Sequence, residues 1–334
     1  MVTLYVSTSS GFLGRRGEAL VFSRRNGEKT VIPSVEVEDV VVVGNGTVST
    51  AALQLLMERQ VPVHYLSTGG RYLGGSLSAQ KGASSLHRAQ YRAAEESEPG
   101  LRIARGVVTG KLLNQRALLR RFVYRHEGGT DEIIAVIREL EKISRWAAVS
   151  TDMEQLRGIE GHGAALYFSV FGRMLRPPWR FTGRNRRPPR DPVNALLSFG
   201  YTLLLVHATT AAALSGLDPC VGFLHPEHRG RPSVALDLME PFRPVVVDRL
   251  LLALINQGMF SPEDFSSGGD DGGVRMAVEA RRRYVVAFEQ RLTTRSTTPE
   301  GQGGTYLLHL RHAARRMARA LVEETPYMPF VAPV

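Results

Sequence analysis

The sequence predicts an α+β protein in which a small β-rich domain precedes a larger helical one. The chain has 334 residues, which exceeds the size at which a single hydrophobic core stops growing. Residues 1–79 contain short apolar runs separated by turn residues, a pattern typical of β-strands. From residue 87 onward, apolar residues recur every three or four positions, as they do on helices. We therefore expect a β-rich domain at 1–79, a linker at 80–86 and a helical domain at 87–334.

The predicted strands are rich in Val, Ile, Leu and Tyr. They are LYVST, EALVFSR, KTVIP, VEVEDVVVVG, VPVHYLS and RYLGGSLS. The pair Asn26-Gly27 stands between two of them and predicts a tight hairpin, because such a turn needs positive φ. One helix interrupts the strands from Ser49 to Arg59, with Ser49 or Thr47 as its N-cap.

Eight helices are predicted in the second part of the chain. They run from His87 to Glu96, Leu101 to Arg125, Thr130 to Ala148, Met153 to Leu175, Asp191 to Ser215, Arg231 to Leu254, Ala277 to Thr293 and Thr305 to Glu324. The pair Asp191-Pro192 is a strong start signal, since Asp caps a helix and Pro fits its first turn. The segment Ser261–Gly273 is rich in Gly and Ser and predicts a mobile surface loop.

Composition and charge limit the kinds of protein that this chain can be. The formal net charge is +10 and the pI about 10.1, which favours nucleic acid as a partner over an anionic membrane surface. The single cysteine, Cys220, excludes an internal disulfide and a Cys-rich zinc site. We expect a cytoplasmic protein without a signal peptide or a membrane span, because polar residues interrupt the longest apolar stretch, Ala195 to Leu214.

An acidic residue between two glycines marks the first candidate site. Glu160 lies in the segment RGIEGHGAALYF, between Gly158 and Gly161. Each glycine weakens a helix by about 1 kcal/mol relative to Ala, but leaves room beside the carboxylate for a backbone or a ligand. The alternative is that Glu160 is an ordinary solvated acid.

A histidine and two acids mark the second candidate site. His225 ends an apolar run, and Asp237 and Glu240 follow at a spacing of three, which places both acids on one helix face. Apolar neighbours draw that face toward the interior, where a carboxylate needs a cation, a metal ion or hydrogen-bond donors. The alternative for Asp237 is a structural ion pair with Arg243 or Arg231.

The third candidate site is the loop from Arg176 to Arg190. It contains six Arg, four Pro, one Trp and no acidic residue, a combination that attracts phosphate backbones. Because a guanidinium group donates two parallel hydrogen bonds to one phosphate, Arg suits this role better than Lys. A solvated linker is the alternative.

Five segments together resemble one known family. They are KLLNQRALLRR at 111–121, GIEG at 158–161, FTGRNRRPPRDPVNALLSFGYTLL at 181–204, GFLH at 222–225 and RPSVALDLMEPFRP at 231–244. They are similar to the CRISPR-associated integrase family, the endonuclease-like subunit that inserts new spacers into a CRISPR array. The resemblance covers about residues 1 to 325. It implies a β-sandwich-like N-terminal domain and an all-α catalytic domain.

The resemblance also implies an activity and a set of partners. The expected function is a metal-dependent DNA endonuclease and integrase of antiviral defence, in which a 3′-hydroxyl attacks a phosphodiester. Its DNA partners would be double-stranded spacer precursors with 3′ ends and the CRISPR array. Its protein partners would be a second copy in a homodimer and a small ferredoxin-like companion subunit. An iron–sulfur nuclease would be a separate chain, since no four-Cys cluster is present here.

The same resemblance implies roles for individual residues. Glu160, His225 and Glu240 would hold Mg²⁺ or Mn²⁺, which accept carboxylate and imidazole ligands, and Asp237 would orient a ligand. Relatives carry Asp or Glu where this chain has Glu240. The expected DNA contacts are Arg184, Arg186, Arg190, Asn194, Ser198, Tyr201, Lys111 and Arg121. For Asn194, Ser198 and Tyr201 the alternative is ordinary polar positions on a packed helix.

Two other functions are compatible with the charge alone. One is a nucleic-acid-binding scaffold without catalysis, which would bind DNA equally in the presence of a chelator. The other is a helical regulator, which we rank lower because no clear recognition helix is evident. The sequence leaves open whether the apolar tail Thr325 to Val334 packs on a partner or frays.

Overall fold

The computed structural model divides into two compact units, Met1–Gly82 and Ala83–Val334. The division falls inside the predicted linker. The structure describes residues 2–7, 11–24, 26–68, 70–76, 84–125, 131–185, 188–228, 230–268, 272–299 and 301–333.

The N-terminal unit is built from two four-stranded sheets and one helix. Its elements are β1 (Val2–Ser7), β2 (Phe12–Arg16), β3 (Ala19–Ser23), β4 (Lys29–Pro33), β5 (Val37–Val43), β6 (Thr47–Val48), α1 (Thr50–Glu58), β7 (Val63–Leu66) and β8 (Tyr72–Ser76). One sheet has the order β1-β5-β7-β8 and the other β4-β3-β2-β6. Strands β3 and β4 pair antiparallel, and the turn between them contains Gly27 at φ +87°, as the Asn26-Gly27 pair predicts.

Both sheets contribute to one hydrophobic core. Val6 and Val40 come from the first sheet, Leu13 and Leu20 from the second, and Leu55 from α1. All five side chains are buried, and burial of an aliphatic side chain contributes about 2 kcal/mol. The first unit therefore has a hydrophobic core that both of its sheets share.

The second unit is mainly helical. Its helices are α2 (Ser84–Glu95), α3 (Ser97–Arg125), α4 (Asp131–Ala148), α5 (Met153–Phe171), α6 (Pro192–Leu214), α7 (Ser233–Met239), α8 (Arg249–Asn256), α9 (Val278–Thr293) and α10 (Tyr306–Val322). Asp191 caps α6 by accepting a hydrogen bond from the backbone N–H of Asn194, as its position before Pro192 predicts.

The expectation of an all-α domain is wrong in detail. Two antiparallel ribbons lie among the helices: β9 (Phe265–Ser267) with β10 (Val274–Met276), and β11 (Arg295–Thr297) with β12 (Gly303–Thr305). Strand β9 lies in the segment 261–273, which the sequence predicts to be a mobile surface loop, and β10 follows directly after that segment. Strands of three residues are too short to show the alternation of apolar and polar side chains that identifies longer strands.

The helix predicted from Arg231 to Leu254 is also interrupted. Between α7 and α8 the chain forms a 3₁₀ turn, Glu240–Phe242, and a π-helical turn, Arg243–Asp248. Pro241 and Pro244 lie in these turns, and neither can donate the backbone hydrogen bond that a continuous α-helix needs. The interruption gives Glu240 a position just beyond the end of a regular helix.

Helix α6 is long and apolar enough to span a membrane by length and composition alone. Its mean hydropathy over the best window is 1.4, yet 72% of that window is buried inside the protein. The apolar character of α6 is therefore explained by its position in the core of the helical unit.

The C-terminal tail packs on its own unit. Phe330 is buried and stacks on Phe242, with ring centres 4.9 Å apart. The amide of Asn114 on α3 binds the backbone of the tail at Phe330 and Ala332. The same side chain donates to the carbonyl of Pro241 at 2.7 Å. The tail thus supports the turn that carries Glu240.

Candidate active site

The ammonium group of Lys111 lies between two glutamates. Its Nζ donates to Oε1 of Glu160 on α5 and lies 2.7 Å from Oε2 of Glu240. The Lys111 and Glu240 side chains are only 6% and 2% exposed, whereas Glu160 is 28% exposed. The buried ammonium group of Lys111 is therefore shared by two acids that are 80 residues apart in sequence.

Close packing of α3 on α5 brings Lys111 to Glu160. At Gly163 a Cβ atom would lie 2.2 Å from Cδ2 of Leu112, so a larger residue would push the two helices apart. In contrast, a Cβ at Gly158 or Gly161 would meet nothing within 4 Å. The two glycines beside Glu160 therefore leave open space, as their positions in the sequence predict.

Asp237 orients the imidazole of His225. Its Oδ1 lies 2.7 Å from Nδ1 of His225, and the carboxylate also accepts from the backbone N–H groups of residues 223–225. Because a carboxylate only accepts hydrogen bonds, Nδ1 carries a proton, and in the neutral form of the ring Nε2 holds the lone pair that a metal ion can bind. Nε2 faces Glu240, with Oε1 at 3.7 Å.

The turn that carries His225 is fixed at both sides. Nε of Arg157 on α5 donates to the carbonyl of Leu224 at 3.0 Å. At Gly222 a Cβ would lie 2.7 Å from the carbonyl carbon of Ser233, the first residue of α7. These contacts hold the imidazole near both α5, which carries Glu160, and α7, which leads to Glu240.

Positive charges keep Glu240 ionised. Burial alone would raise the pKa of this carboxyl, but Arg243 and Lys111 outweigh burial and hold the pKa well below its ordinary value. Nη1 of Arg243 lies 3.0 Å from Oε1. Oε2 is buried, and the Lys111 ammonium lies 2.7 Å from it.

The donor set fits a divalent cation, although the side chains do not form a metal cage in this arrangement. Within the described ranges no three His, Cys, Asp or Glu side chains lie close enough together to hold an ion. The reason is local, since the Lys111 ammonium occupies the position between the carboxylates. Two glutamates and an oriented imidazole are ligand types that Mg²⁺ and Mn²⁺ accept.

Several residues expected to contact DNA form a partly buried hydrogen-bond network. The carboxamide oxygen of Asn194 accepts from Arg184 Nη1 at 2.6 Å, and Oγ of Ser198 accepts from Nη2 at 3.0 Å. Asn194 is fully buried, and the Tyr201 hydroxyl donates to Asp248 at 2.6 Å. Asn194 and Ser198 therefore position the guanidinium of Arg184.

The remaining expected DNA contacts occupy different places. Arg190 is exposed beside the start of α6. Arg121 lies on α3 near other arginines, and Arg186 lies outside the described residues. Lys111, expected to bind phosphate, is instead the buried partner of Glu160 and Glu240.

Sequence reasoning missed two residues of the site. From the sequence, Arg243 is expected only as an alternative ion-pair partner of Asp237, but the structure pairs it with Glu240. The spacing of three between these residues was the available signal. No local sequence pattern marks Asp248 as a residue of the site, because its partners Tyr167 and Tyr201 lie on two other helices.

Asp248 makes the stability of the helical unit depend on pH. Burial raises the pKa of this carboxyl to about 6 from 3.8, against hydrogen bonds from Tyr201 and Tyr167. Between these two values the folded state keeps a proton that the unfolded state has lost, so this group lowers stability as pH rises from about 4 to about 6. Over this pH range the Asp248 carboxyl should lower the unfolding free energy of wild type by about 3 kcal/mol, and Asp248→Asn should abolish this loss.

Chemical denaturation of wild type and Asp248→Asn from pH 4 to 7 measures this effect. As the pH rises from 4 to about 6, the variant should become more stable relative to wild type. Above about pH 6 the difference in unfolding free energy between the two proteins should stay constant. Asp264→Asn, at a carboxyl whose pKa is lowered by Arg283, should not reproduce that shift. A difference independent of pH would show that Asp248 is ionised throughout.

A surface pocket of about 530 Å³ lies between α5 and the loop 182–184. Ala164, Phe168 and Arg184 are among the residues that line it. Ala164 is four residues beyond Glu160, so the pocket lies further along the helix that carries this carboxylate.

Comparison with known proteins identifies relatives of this chain. The family model described as CRISPR associated protein Cas1 matches residues 4–290. The CRISPR-associated endonuclease Cas1 1 of Chlorobaculum tepidum is 39% identical over 301 residues, which cover 86% of this chain and 85% of the relative. The CRISPR-associated endonuclease Cas1 3 of Thermus thermophilus is 37% identical and covers 98% and 96% of the two chains.

A longer relative and two solved structures extend the comparison. A CRISPR-associated exonuclease Cas4/endonuclease Cas1 fusion of Geobacter sulfurreducens is 38% identical, and the match covers 98% of this chain but 59% of the fusion. A CAS1 protein from Thermotoga maritima superposes with a TM-score of 0.82 at 25% identity over the full length of both chains. A chain of a Cas6-RT-Cas1–Cas2 complex has a TM-score of 0.84 at 26% identity, covering 99% of this chain and 36% of that one. The resemblance of the sequence to the CRISPR-associated integrases is thereby confirmed, and the chain belongs to the Cas1 family.

Proposed function

We propose that the chain is a metal-dependent DNA endonuclease and integrase, which inserts spacer DNA into a CRISPR array by attack of a 3′-hydroxyl on a phosphodiester. The observation that carries this proposal is the shared cation position between Glu160 and Glu240, next to the imidazole that Asp237 orients. The names of the relatives as CRISPR-associated endonucleases support it.

Glu160, His225 and Glu240 would hold the ion. A bound Mg²⁺ or Mn²⁺ supplies charge neutralisation on the scissile phosphate and polarises its oxygens. Lys111 holds the two carboxylates near each other before an ion arrives, and it has to move away when the ion binds. Asp237 fixes the His225 ring with Nε2 as the ligand atom.

The surrounding residues would bind and position DNA. Arg184 borders the pocket along α5, and Asn194 and Ser198 hold its guanidinium in place. Such preorganised donors suit a phosphate near the reacting centre. The main task of the protein is then to hold the 3′-hydroxyl in line with the scissile phosphate. One phosphodiester forms as another breaks, so the exchange needs no external energy source.

The proposed assembly has several protein components. We infer a homodimer and a small companion subunit, which would be ferredoxin-like. One structural relative comes from a complex that contains Cas1 and Cas2. One sequence relative is fused to a Cas4 exonuclease, so a separate iron–sulfur nuclease is a further proposed partner of this chain.

A strand-transfer assay with a divalent-ion titration tests the proposal. A labelled duplex with free 3′-hydroxyls is incubated with supercoiled plasmid that carries a CRISPR array, with Mn²⁺, Mg²⁺ or EDTA. We expect joined product with either ion and none with EDTA, while DNA binding persists in EDTA. Equal binding in all conditions without any joined product would favour the non-catalytic scaffold. A duplex blocked at its 3′ ends is the matched control and should give no product.

A further inference from the structure

The tail segment, residues 327–332, lies against one face of α3. At Gly106 a Cβ atom would lie 2.2 Å from the carbonyl oxygen of Tyr327, and at Gly110 it would lie 2.5 Å from Cβ of Pro329. The two glycines are four residues apart and therefore share a helix face. A larger residue at either position would push the tail segment away from α3, so its close approach depends on both glycines.

The carboxamide of Asn114 joins the tail segment to the 3₁₀ turn 240–242. Asn114 is fully buried and lies four residues beyond the second of these glycines, on the same face of α3. Its Nδ2 donates to the carbonyls of Phe330 and Pro241, at 2.9 and 2.7 Å. Its Oδ1 accepts from the backbone N–H of Ala332 at 2.8 Å. One side chain thus binds the tail segment at two points and the turn at one.

An aromatic stack joins the same two segments a second time. The ring centres of Phe330 and Phe242 lie 4.9 Å apart, with 15° between the ring planes. Both side chains are fully buried, and an aromatic pair adds to the free energy of apolar burial. Nε of Arg316 on α10 also donates to the carbonyl of Met328 at 3.0 Å. Helix α10 therefore anchors the tail segment independently of the turn.

The turn that carries Glu240 depends on its neighbours for its position. Pro241 and Pro244 supply no backbone N–H for helical hydrogen bonds, and no side chain caps the start of the turn. Glu240 is its first residue, and the tail segment is attached at the next two. A metal ligand has to be held within about 0.5 Å of its productive position, so contacts one and two residues away affect it directly.

We propose that the tail segment is a positioning element for the carboxylate of Glu240, and that Asn114 and Phe330 are its positioning residues. They act only through Pro241 and Phe242. The action of Glu240 as a metal ligand rests on the proposed function, whereas the hold of the tail segment on the turn rests on the hydrogen bonds and the stack. Loosening the tail segment should weaken ion binding without removing any ligand.

Hydrogen–deuterium exchange in EDTA tests the hold on the turn, with Phe330→Leu as the variant. Leucine keeps the apolar burial but removes the stack, so backbone amides within 240–248 should exchange about fivefold faster. Phe260→Leu is the matched control, since Phe260 is also buried and its ring neighbours are Phe265 and Tyr284. The control should leave exchange of 240–248 at the wild-type rate. Wild-type exchange in Phe330→Leu would overturn the proposal.

Equilibrium binding of Mn²⁺ without DNA, followed by the EPR signal of the free ion, tests the effect on the ligand. The binding that Glu240→Gln abolishes identifies the site. Phe330→Leu should weaken this binding about tenfold, as loss of a residue that supports a metal ligand does, and Phe260→Leu should leave it unchanged. Faster exchange together with wild-type Mn²⁺ affinity in Phe330→Leu would overturn the positioning role.

A double variant tests whether the effect passes through the aromatic stack. Phe242→Leu removes the other ring of the pair. If Phe330 acts through that ring, Phe242→Leu/Phe330→Leu should weaken Mn²⁺ binding no more than Phe242→Leu alone. Losses of affinity that add in the double variant would overturn the role of Phe330.

Asn114→Ala tests the hydrogen bonds. It leaves three buried backbone groups unpaired, which is costly, so Phe330→Leu decides the question if Asn114→Ala does not fold. A folded Asn114→Ala should bind Mn²⁺ about tenfold more weakly. Asn256→Ala is the control, because its carboxamide also binds backbone, at Met174 and Arg176, and it should bind Mn²⁺ like wild type. Wild-type affinity in a folded Asn114→Ala would overturn the role of Asn114.

Failure of the proposed function would give a different result. A wild type that binds no Mn²⁺ at Glu240 and joins no strands would remove the proposed function, while faster exchange of 240–248 in Phe330→Leu would still support the hold of the tail segment. Conversely, wild-type exchange and Mn²⁺ affinity in Phe330→Leu, beside normal strand transfer, would leave the proposed function standing and overturn only the positioning element.

Discussion

Glu160→Gln is expected to lower the rate of strand transfer by at least about 100-fold. A metal ion contributes several kcal/mol of charge stabilisation in phosphoryl chemistry, and each 1.4 kcal/mol corresponds to about tenfold in rate. Glutamine keeps the size of the side chain but removes the negative charge that a divalent ion needs. Lys111 retains its contact with Glu240, so the fold should persist.

The matched control is Glu154→Gln, on the same helix. Glu154 is exposed in the first turn of α5, and the same chemical change there should leave the rate within about twofold, as for most surface substitutions. Circular dichroism and duplex binding in EDTA establish that both variants are folded and bind DNA. Wild-type strand transfer by Glu160→Gln would remove this residue from the proposed site.

Lys111→Met is expected to destabilise the protein in chelator by about 3 kcal/mol, because it removes one partner of a buried ion pair. Methionine approximates the length and apolar stem of lysine but leaves Glu160 and Glu240 facing each other without the cation between them. Arg243 still neutralises part of the charge on Glu240. Denaturant unfolding in EDTA measures the loss.

Addition of Mn²⁺ should restore much of this stability, and should stabilise the variant more than wild type. In wild type an ion has to displace the Lys111 ammonium, whereas in the variant the position is vacant. Lys142→Met provides the control, since Lys142 is 57% exposed and contacts Glu139 and the ring of Trp146 at the surface. It should change stability by less than about 0.5 kcal/mol, with or without Mn²⁺. A chelator-treated Lys111→Met as stable as wild type would show that Lys111 has no such role.

Much of the fold follows from periodicity in the sequence, and the exceptions have physical causes. The long helices α3 and α6 have many apolar positions at helical spacing, and their bounds differ from the prediction by only a few residues. The break after Met239 was missed because apolar residues continue at the same spacing through Pro241 and Pro244. Short strands such as β9 are stabilised by pairing with another strand, and three residues are too few to show the period of a strand.

In the candidate site, too, the sequence predicts what a short motif contains but not which distant residues come into contact. Motifs at Glu160, His225 and Glu240 mark the acids and the imidazole, because each motif is local. The partner of Lys111 is not local, since Glu160 and Glu240 lie 49 and 129 residues further along the chain. Lys111, which lies in a basic segment, was therefore expected to bind phosphate, although the fold buries it between two carboxylates.

A crystal structure of the protein soaked in Mn²⁺, with anomalous data collected at the manganese edge, tests the central claim most directly. We predict an anomalous peak bound by Glu160, His225 and Glu240, with the Lys111 ammonium moved away from the carboxylates. Glu160→Gln treated in the same way should lose the peak. A wild-type crystal with Lys111 still between the two glutamates, and with manganese only elsewhere, would contradict the claim.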